Sequence, residues 1–238
     1  MGIYKQFSRG KLFKFDVFET VFLKKHMKAK VINMESGEEL SENEIFEFSK
    51  NPEIFKAIYE VFEDWRLRGF VVKTGYKFGS HFRIYFPGVS PVKSSKEWIH
   101  SKHVLHVFPK FERMLISEWS RAIRVAHSVR KTFIIGIPGM EEKDFLDIDL
   151  DFLAYHRDNK NRAITPDENP NFVIWSLCED EYIGGKELAS ALRIAEEIGL
   201  DLLLAINGRE SDITYYLAKQ IDLPGSKYQY YEIRWFQP

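Results

Sequence analysis

The chain has 238 residues, 45% of them hydrophobic and 29% charged, with a formal net charge of −1. That is enough apolar material for one or two compact units with a sizeable core. No apolar run approaches the roughly 20 residues of a membrane-spanning helix, and the start, MGIYKQFSRGKLFKF, lacks the basic-then-apolar layout of a secretory signal, so a cytoplasmic protein without membrane attachment is expected. Cys178 is the only cysteine, which excludes an intrachain disulfide and a thiolate metal cluster and leaves a small apolar side chain as its reading.

From Phe13 to Met27 apolar residues recur at helical spacing (Phe15, Val17, Phe18, Val21, Phe22), and a short strand-like KAKVINM leads to a turn at Ser36-Gly37. Ser41 precedes Glu44 by three positions, the capping-box spacing, and so opens a second helix. A third helix runs from about Pro52 to Leu67 and stops at Gly69. Residues 1–68 therefore read as a small helical N-terminal unit.

After Gly69 the apolar period changes to two. Phe70-Val71-Val72 and Phe82 to Tyr85 read as a pair of strands joined through Lys77-Phe78-Gly79, and Val104 to Val107 as another. Leu115 to Val129 is an amphipathic helix, Thr132 to Ile137 a buried-type strand ended by Pro138-Gly139, and Phe145 to His156 a further strand-like segment. Residues 69–157 thus form one α/β unit. Asp158 to Asn171, with two prolines and four asparagines, reads as a linker.

Residues 172–238 repeat part of that order. Phe172 to Leu177 is a strand, Lys186 to Ile198 a helix, and Leu202 to Ile206 and Asp212 to Ile221 are strands; Tyr228 to Pro238 reads as one more strand, with no place assigned to it. Ala191 to Ile206 (ALRIAEEIGLDLLLAI) sits beside Ala122 to Ile137 (AIRVAHSVRKTFIIGI) without gaps, the mark of a partial internal duplication. The second copy has no basic counterpart of Lys131, Asp201 and Leu202 lying in that neighbourhood, so it reads as structural. The fold class expected is α/β (α+β): a helical N-terminal unit, a mixed-sheet domain, then a shortened repeat of that domain.

The near-neutral total conceals an asymmetry. Residues 1–61 carry 10 basic and 10 acidic residues, residues 62–136 carry 14 against 5, and residues 137–238 carry 10 against 20. A local excess of Lys and Arg suits a phosphate backbone even in a chain of low net charge. The acidic segment suits self-recognition instead. Taken alone, both imbalances also fit ordinary solvated faces.

Within the basic segment stand RLRGFVVKTGYKFGSHFRIYFPG (Arg66 to Gly88), HSKHVLHVFP (His100 to Pro109) and RVAHSVRK (Arg124 to Lys131). Cleaving RNA without metal needs a group that takes the 2′-hydroxyl proton, one that protonates the departing 5′-oxygen, and positive charge beside the phosphorus. Histidine moves protons near neutrality and lysine supplies charge, whereas tyrosine serves as a base only where cations favour its phenolate. Taken singly, residues of these words have ordinary readings: Tyr85 as a half-buried strand aromatic, Lys131 as a helix C-terminal cation and His100 as a surface loop histidine. A metal site from His100, His103 and His106 conflicts with strand alternation, which sends neighbouring members to different faces. His81 reads as a surface residue or an RNA contact, and no cofactor is expected.

Together these three words, in this order, resemble the archaeal tRNA-splicing endonuclease family. The resemblance implies Tyr85 as general base, His100 as general acid and Lys131 as stabiliser of the pentacoordinate transition state. The products would be a 2′,3′-cyclic phosphate and a 5′-hydroxyl, with no metal required and precursor tRNA folded as a bulge–helix–bulge as the substrate. It also implies an arginine pair that grips a bulged base: Arg124 is the first, and the strand expected after Ile137 offers only Arg157 as the second. Members need two catalytic and two structural units, with an acidic loop of each structural unit docked on a catalytic one. Here that loop is NGRESDITYY, with Glu210 and Asp212, so two copies of this chain as a homodimer would supply four units. The alternative is a non-catalytic RNA-binding or structural subunit of such an assembly.

Overall fold

The structure, a computed structural model, describes residues 3–7, 10–91, 99–156, 169–209 and 212–237. The chain opens on a hairpin, β1 (Ile3–Phe7) with β2 (Gly10–Lys14), followed by helices α1 (Val17–Met27), α2 (Glu42–Glu47) and α3 (Pro52–Leu67). The helical reading of this unit holds, with the hairpin added before it; Phe13 belongs to β2, and KAKVINM makes only an isolated bridge, Ile32 to Glu39. Each helix begins where its side chains can satisfy orphan N–H groups. Asp16 with Glu19 and Ser41 with Glu44 form capping boxes, and the Asn51 Oδ1 accepts from the Ile54 N–H at 3.3 Å ahead of Pro52.

The rest of the chain builds β3 (Val71–Thr74), β4 (Phe82–Tyr85), β5 (His103–Val107), β6 (Arg113–Leu115), α4 (Ile116–Ser128), β7 (Thr132–Ile137) and β8 (Phe152–Ala154). Then follow β9 (Phe172–Cys178), β10 (Tyr182–Gly184), α5 (Gly185–Glu197), β11 (Asp201–Asn207), β12 (Ile213–Ile221) and β13 (Gln229–Phe236). Nine of these strands make one mixed sheet in the order β3-β4-β5-β7-β13-β12-β11-β9-β8. The duplication read from the words is visible in its topology. β5-β6-α4-β7 and β9-β10-α5-β11 have the same order, the strand pairs β5/β7 and β9/β11 are both parallel, and β6 pairs antiparallel with β10 to tie the copies together.

Helices cover both faces of the sheet. On one side Phe18, Val21, Phe62 and Trp65 of the N-terminal unit pack on Val72, Phe82, Ile84, Leu105, Val107 and Ile134. The aromatic rings interlock there, Phe18 stacking on Phe55 at 4.5 Å and meeting Phe82 edge-on at 5.2 Å. On the other side α4 and α5 bury Trp119, Ile123, Leu188 and Leu192 against Val104, Phe133, Ile135, Leu202 and Leu204. A buried ionic contact adds to the link between the copies: Asp144 accepts from Lys186 of α5 at 2.8 Å and from Lys110, after β5, at 2.5 Å. The two ammonium groups hold its carboxyl well below the usual carboxylate range.

The strand left unplaced by sequence, at the C-terminus, is central. β13 lies antiparallel to both β7 and β12, with Ile233 opposite Phe133 on one side and Ala218 on the other. The segment 145–156, expected as a strand from its alternation, gives only β8 at the far edge, paired with β9. The strand that borders β7 on the side away from β5 is β13. Its polar groups serve instead as local ties, Asp151 accepting from the Ser176 N–H at 2.6 Å and the Leu146 N–H donating to Ser190 Oγ at 2.8 Å. β13 is held from below as well. The Tyr230 hydroxyl donates to the buried Asp64 of α3 at 2.7 Å, and the Ser226 hydroxyl donates to the same oxygen at 2.8 Å.

Gly136 on β7 is required by this insertion, because a Cβ there would lie 2.8 Å from the Tyr230 ring. Gly136→Ala is therefore expected to destabilise the fold by about 1–3 kcal/mol, the usual range for overpacking. Urea unfolding checks it, and an unchanged midpoint would show that the ring yields without cost.

Candidate active site at one end of the sheet

The topology gathers the three candidate segments. β4 runs antiparallel to β5, so its last residue, Tyr85, lies at the end of the sheet where β5 begins; β5 and β7 are parallel, so β7 begins there too. Ser101 and His100 precede β5 and Lys131 precedes β7. Faces agree as well as ends. Ile84 points to the N-terminal helices and Phe133 to α4, so strand alternation puts Arg83, Tyr85 and Lys131 on the α4 side. Tyr85 and Lys131 stand two strand spacings apart, about 10 Å, with β5 between them. The Phe86 ring, next after Tyr85, meets the His103 ring edge-on at 5.4 Å and locks that end of β4 to β5.

The Lys131 and His100 segments are joined directly. The Lys131 ammonium donates to the Ser101 carbonyl and, at 2.9 Å, to the Ser101 hydroxyl. Ser101 is buried, and its neighbour His100 is exposed. Lysine has three N–H donors, so these two bonds orient the ammonium and leave one N–H for an oxygen of a ligand. The Phe78 ring lies beneath the same group, its centroid 5.3 Å from Nζ.

The backbone that presents Lys131 is unusual. Arg130 has φ of 54°, in the left-handed region, and the Lys131 N–H donates to Ala126 O at 2.9 Å to close the helix end. In the second copy Gly199 makes the same closure, with φ of 72° and the Leu200 N–H bonded to Ala195 O at 2.9 Å. A glycine does this at no steric cost, whereas an arginine pays for it. Leu200 is also the aligned position of Lys131, so the second copy keeps the turn and lacks the charge.

Burial, and after it the charge of Arg83, lower the Lys131 ammonium below the ordinary lysine range. Arg83 is held by its own bond, Nε to Thr74 O at 2.9 Å. The other histidines have structural places. His81 is half-buried: its Nδ1 accepts from the Val107 N–H at 3.0 Å, and burial pulls it down to about 4. His106 is buried against His81, their rings 4.5 Å apart, and burial keeps it well below the usual imidazole range. Among the described residues no three His, Cys, Asp or Glu side chains gather as a metal site. His103 and His106 lie on opposite faces of β5.

Arg124 is exposed on α4, its guanidinium donating to the Ser120 hydroxyl at 3.3 Å and the Tyr216 hydroxyl at 3.4 Å. Arg157 lies outside the described residues, as does Glu210; Asp212 is described and exposed, its carbonyl accepting from the Gly208 N–H at 2.8 Å in the β11–β12 turn. Sequence reasoning missed what β13 brings. Trp235, 46% exposed, is the cross-strand partner of Tyr216 and meets His127 of α4 edge-on at 5.4 Å. Beside Lys131 this forms a cavity of about 430 Å³ lined in part by His127, Arg130, Arg234 and Trp235. The aromatic-cationic word RWF was visible in the chain, but its strand had no assigned neighbour. Ser101 was legible only as part of a word, without a role.

Residues 55–150 match the family model described as tRNA intron endonuclease, catalytic C-terminal domain. The chain is 36% identical over 129 residues to a tRNA-splicing endonuclease of Thermococcus onnurineus, covering 54% of this chain and 69% of the relative. It is 34% identical to one of Thermococcus gammatolerans, over 57% and 78%, and 31% identical to one of Pyrococcus abyssi, over 64% and 82%.

Because the charge of Arg83 adds to burial in lowering the Lys131 ammonium, Arg83→Gln is expected to raise the pKa of Lys131 while burial keeps it below that of a free lysine. Titration followed by NMR at the lysine side chain reads this directly; a value that stays put or falls would remove Arg83 as a cause.

Proposed function

The chain belongs to the tRNA-splicing endonuclease family, and on that premise we propose that it is a metal-independent endoribonuclease, a tRNA-intron lyase. It excises introns from precursor tRNA at bulge–helix–bulge motifs and leaves 2′,3′-cyclic phosphate and 5′-hydroxyl ends. The observation that carries the reading is the convergence of Tyr85, the His100-Ser101 segment and Lys131 on one end of one sheet from three separate parts of the chain.

In this reading Tyr85 takes the proton of the 2′-hydroxyl, whose oxygen attacks the adjacent phosphorus. The P–O5′ bond breaks as His100 delivers a proton to the leaving 5′-oxygen. The Lys131 N–H not engaged by Ser101 binds a non-bridging oxygen as its negative charge grows, so the fixed ammonium acts where charge develops. Arg124 stacks on a splayed bulge base. Its expected companion is Arg157, which lies outside the described residues; the strand that adjoins β7 is β13, and its Trp235, edge-on to His127 at 5.4 Å, offers a second surface for that base.

Two chains form the active assembly, each giving one catalytic and one shortened structural unit. What supports this is the repeated strand-strand-helix-strand topology and the β6–β10 pairing that joins its copies. Glu210 and Asp212 dock the structural unit on the basic surface of the other chain's catalytic unit.

Purified protein incubated with intron-containing precursor tRNA in excess chelator is expected to release the intron with cyclic phosphate ends. His100→Ala is expected to slow cutting by about 10²–10⁴-fold, the range for a lost general acid, with oligomer mass unchanged. Full activity in that variant rejects His100 as the acid, and binding without cutting by the unaltered chain would establish a non-catalytic RNA-binding subunit instead. Reversal of both Glu210 and Asp212 to Lys is expected to lower the mass measured by light scattering and to cut activity at least tenfold; retention of both rejects the docking loop.

A further inference from the structure

The turn between β3 and β4 presents an exposed aromatic beside the candidate active site. Residues Tyr76–Phe78 form a single 3-10 turn in which Tyr76 is 71% exposed and Lys77 is exposed, while Phe78 turns inward under the Lys131 ammonium. Isolated surface aromatics are common in soluble proteins and by themselves carry no message. Here the backbone under the ring is fixed at both ends.

The Gly75 N–H donates to His81 O at 2.7 Å, the Phe78 N–H to Gly75 O at 2.8 Å, and the Ser80 hydroxyl to Gly75 O at 3.3 Å. A Cβ on Gly75 would lie 2.7 Å from the Phe82 carbonyl, and Gly79 has φ of 65° with Ala122 of α4 at 3.2 Å from its Cβ position. Both glycines are needed for the turn to sit this close to β4 and α4. A ring held on such a base loses little freedom when a ligand covers it.

The charge around it suits one ligand class. Lys77 has no ion-pair partner among the described residues, and α4, against which the turn packs, carries Arg121, Arg124 and His127 against one acid, Glu118. The turn brings the Cα of Tyr76 within about 7 Å of that of Gly79, and Phe78, two residues after Tyr76 in the same turn, lies under the Lys131 ammonium. A strand whose phosphate sits at Lys131 therefore passes Tyr76 within a few nucleotides.

We infer that Tyr76 and Lys77 form a second RNA contact, in which an unpaired base flanking the cut site stacks on the Tyr76 ring and Lys77 takes its phosphate. The contact does not depend on base identity, since every base offers a π-face. It rests on the RNA-cleaving reading above and adds to that site the residues that hold the strand on one side of it. Tyr76 is a positioning residue and stays clear of the reacting atoms.

The test uses an RNA with one cut site and the same RNA with a 2′-deoxy sugar at that site, which binds and cannot be cut. Tyr76→Ala is expected to raise Kd for the uncleavable RNA and KM for the cleavable one by about tenfold, in the range for loss of one stacked base, with kcat within twofold. Tyr76→Phe is expected to keep both near their original values, because stacking needs the ring and not the hydroxyl. Unchanged Kd in Tyr76→Ala overturns the proposal, and so does a Phe variant as impaired as the Ala variant. Absence of binding by the unaltered chain overturns it together with the reading beneath it, whereas binding and cutting that ignore the Tyr76 changes overturn it alone.

Discussion

The molecule depends on β13 being hydrogen-bonded along both edges, to β7 of one copy and β12 of the other. Without it, β7 would end as an open edge with a row of unpaired N–H and C=O groups, and the two copies would be joined mainly through the short β6–β10 pairing. The strand also reaches the N-terminal unit, where Tyr230 and Ser226 donate to Asp64 of α3, and the Arg68 guanidinium adds a further bond to that carboxylate. One terminal segment therefore couples all three parts of the chain. Because Lys131 precedes β7 directly, the placement of the ammonium follows from this insertion.

Around Lys131 the structure holds costs that its own duplicate avoids. The second copy ends its helix on Gly199, with Leu200 next; the first ends on Arg130 in a left-handed conformation, with a partly buried lysine next. Arginine in that region is uncommon and strained, and a lysine whose charged form is disfavoured by burial is costly as well. Both departures fall within two residues at the copy that carries the three words, and neither occurs at the copy that lacks them. This is the pattern expected when a duplicated element keeps chemistry in one copy and only shape in the other.

Much of the fold was legible because its signals are local. The capping pair Ser41/Glu44 and the apolar spacing of α1, α4 and α5 each lie within a few residues of the structure they specify. The candidate triad was legible for another reason: its residues sit in long distinctive words. Strand neighbours were not. FLDIDLDFLAYH alternates as an edge strand should, and YQYYEIRWF alternates too, so the chain offered two candidates for one place beside β7. The second won it by contacts reaching across 166 residues: Tyr230 fits the space left at Gly136, and its hydroxyl finds Asp64. The hydrogen bond of His81 was not legible for a like reason, since its partners β5 and His106 adjoin it only in space.

The charge asymmetry has a structural counterpart. Some of the acidic excess is answered within the chain, as where Asp144 meets Lys110 and Lys186 or where Glu187 meets Arg113 at 3.3 Å. The basic excess on α4 and at its C-terminus is not. Among the described residues no carboxylate lies within ion-pair distance of Arg121, Arg124, Arg130 or Lys131, although 20 acidic residues follow in the same chain. Desolvating and crowding like charges is unfavourable, and nothing in the packing of α4 requires it, because its buried face is Ile116, Trp119, Ala122, Ile123 and Ala126. The cations are held at one end of the sheet without internal neutralisation, and a polyanion laid across that end relieves their repulsion. On the proposed reading, the electrostatic energy left unsatisfied in the free chain becomes binding energy for a phosphate backbone, at the end of the sheet where Tyr85, the His100-Ser101 segment and Lys131 lie.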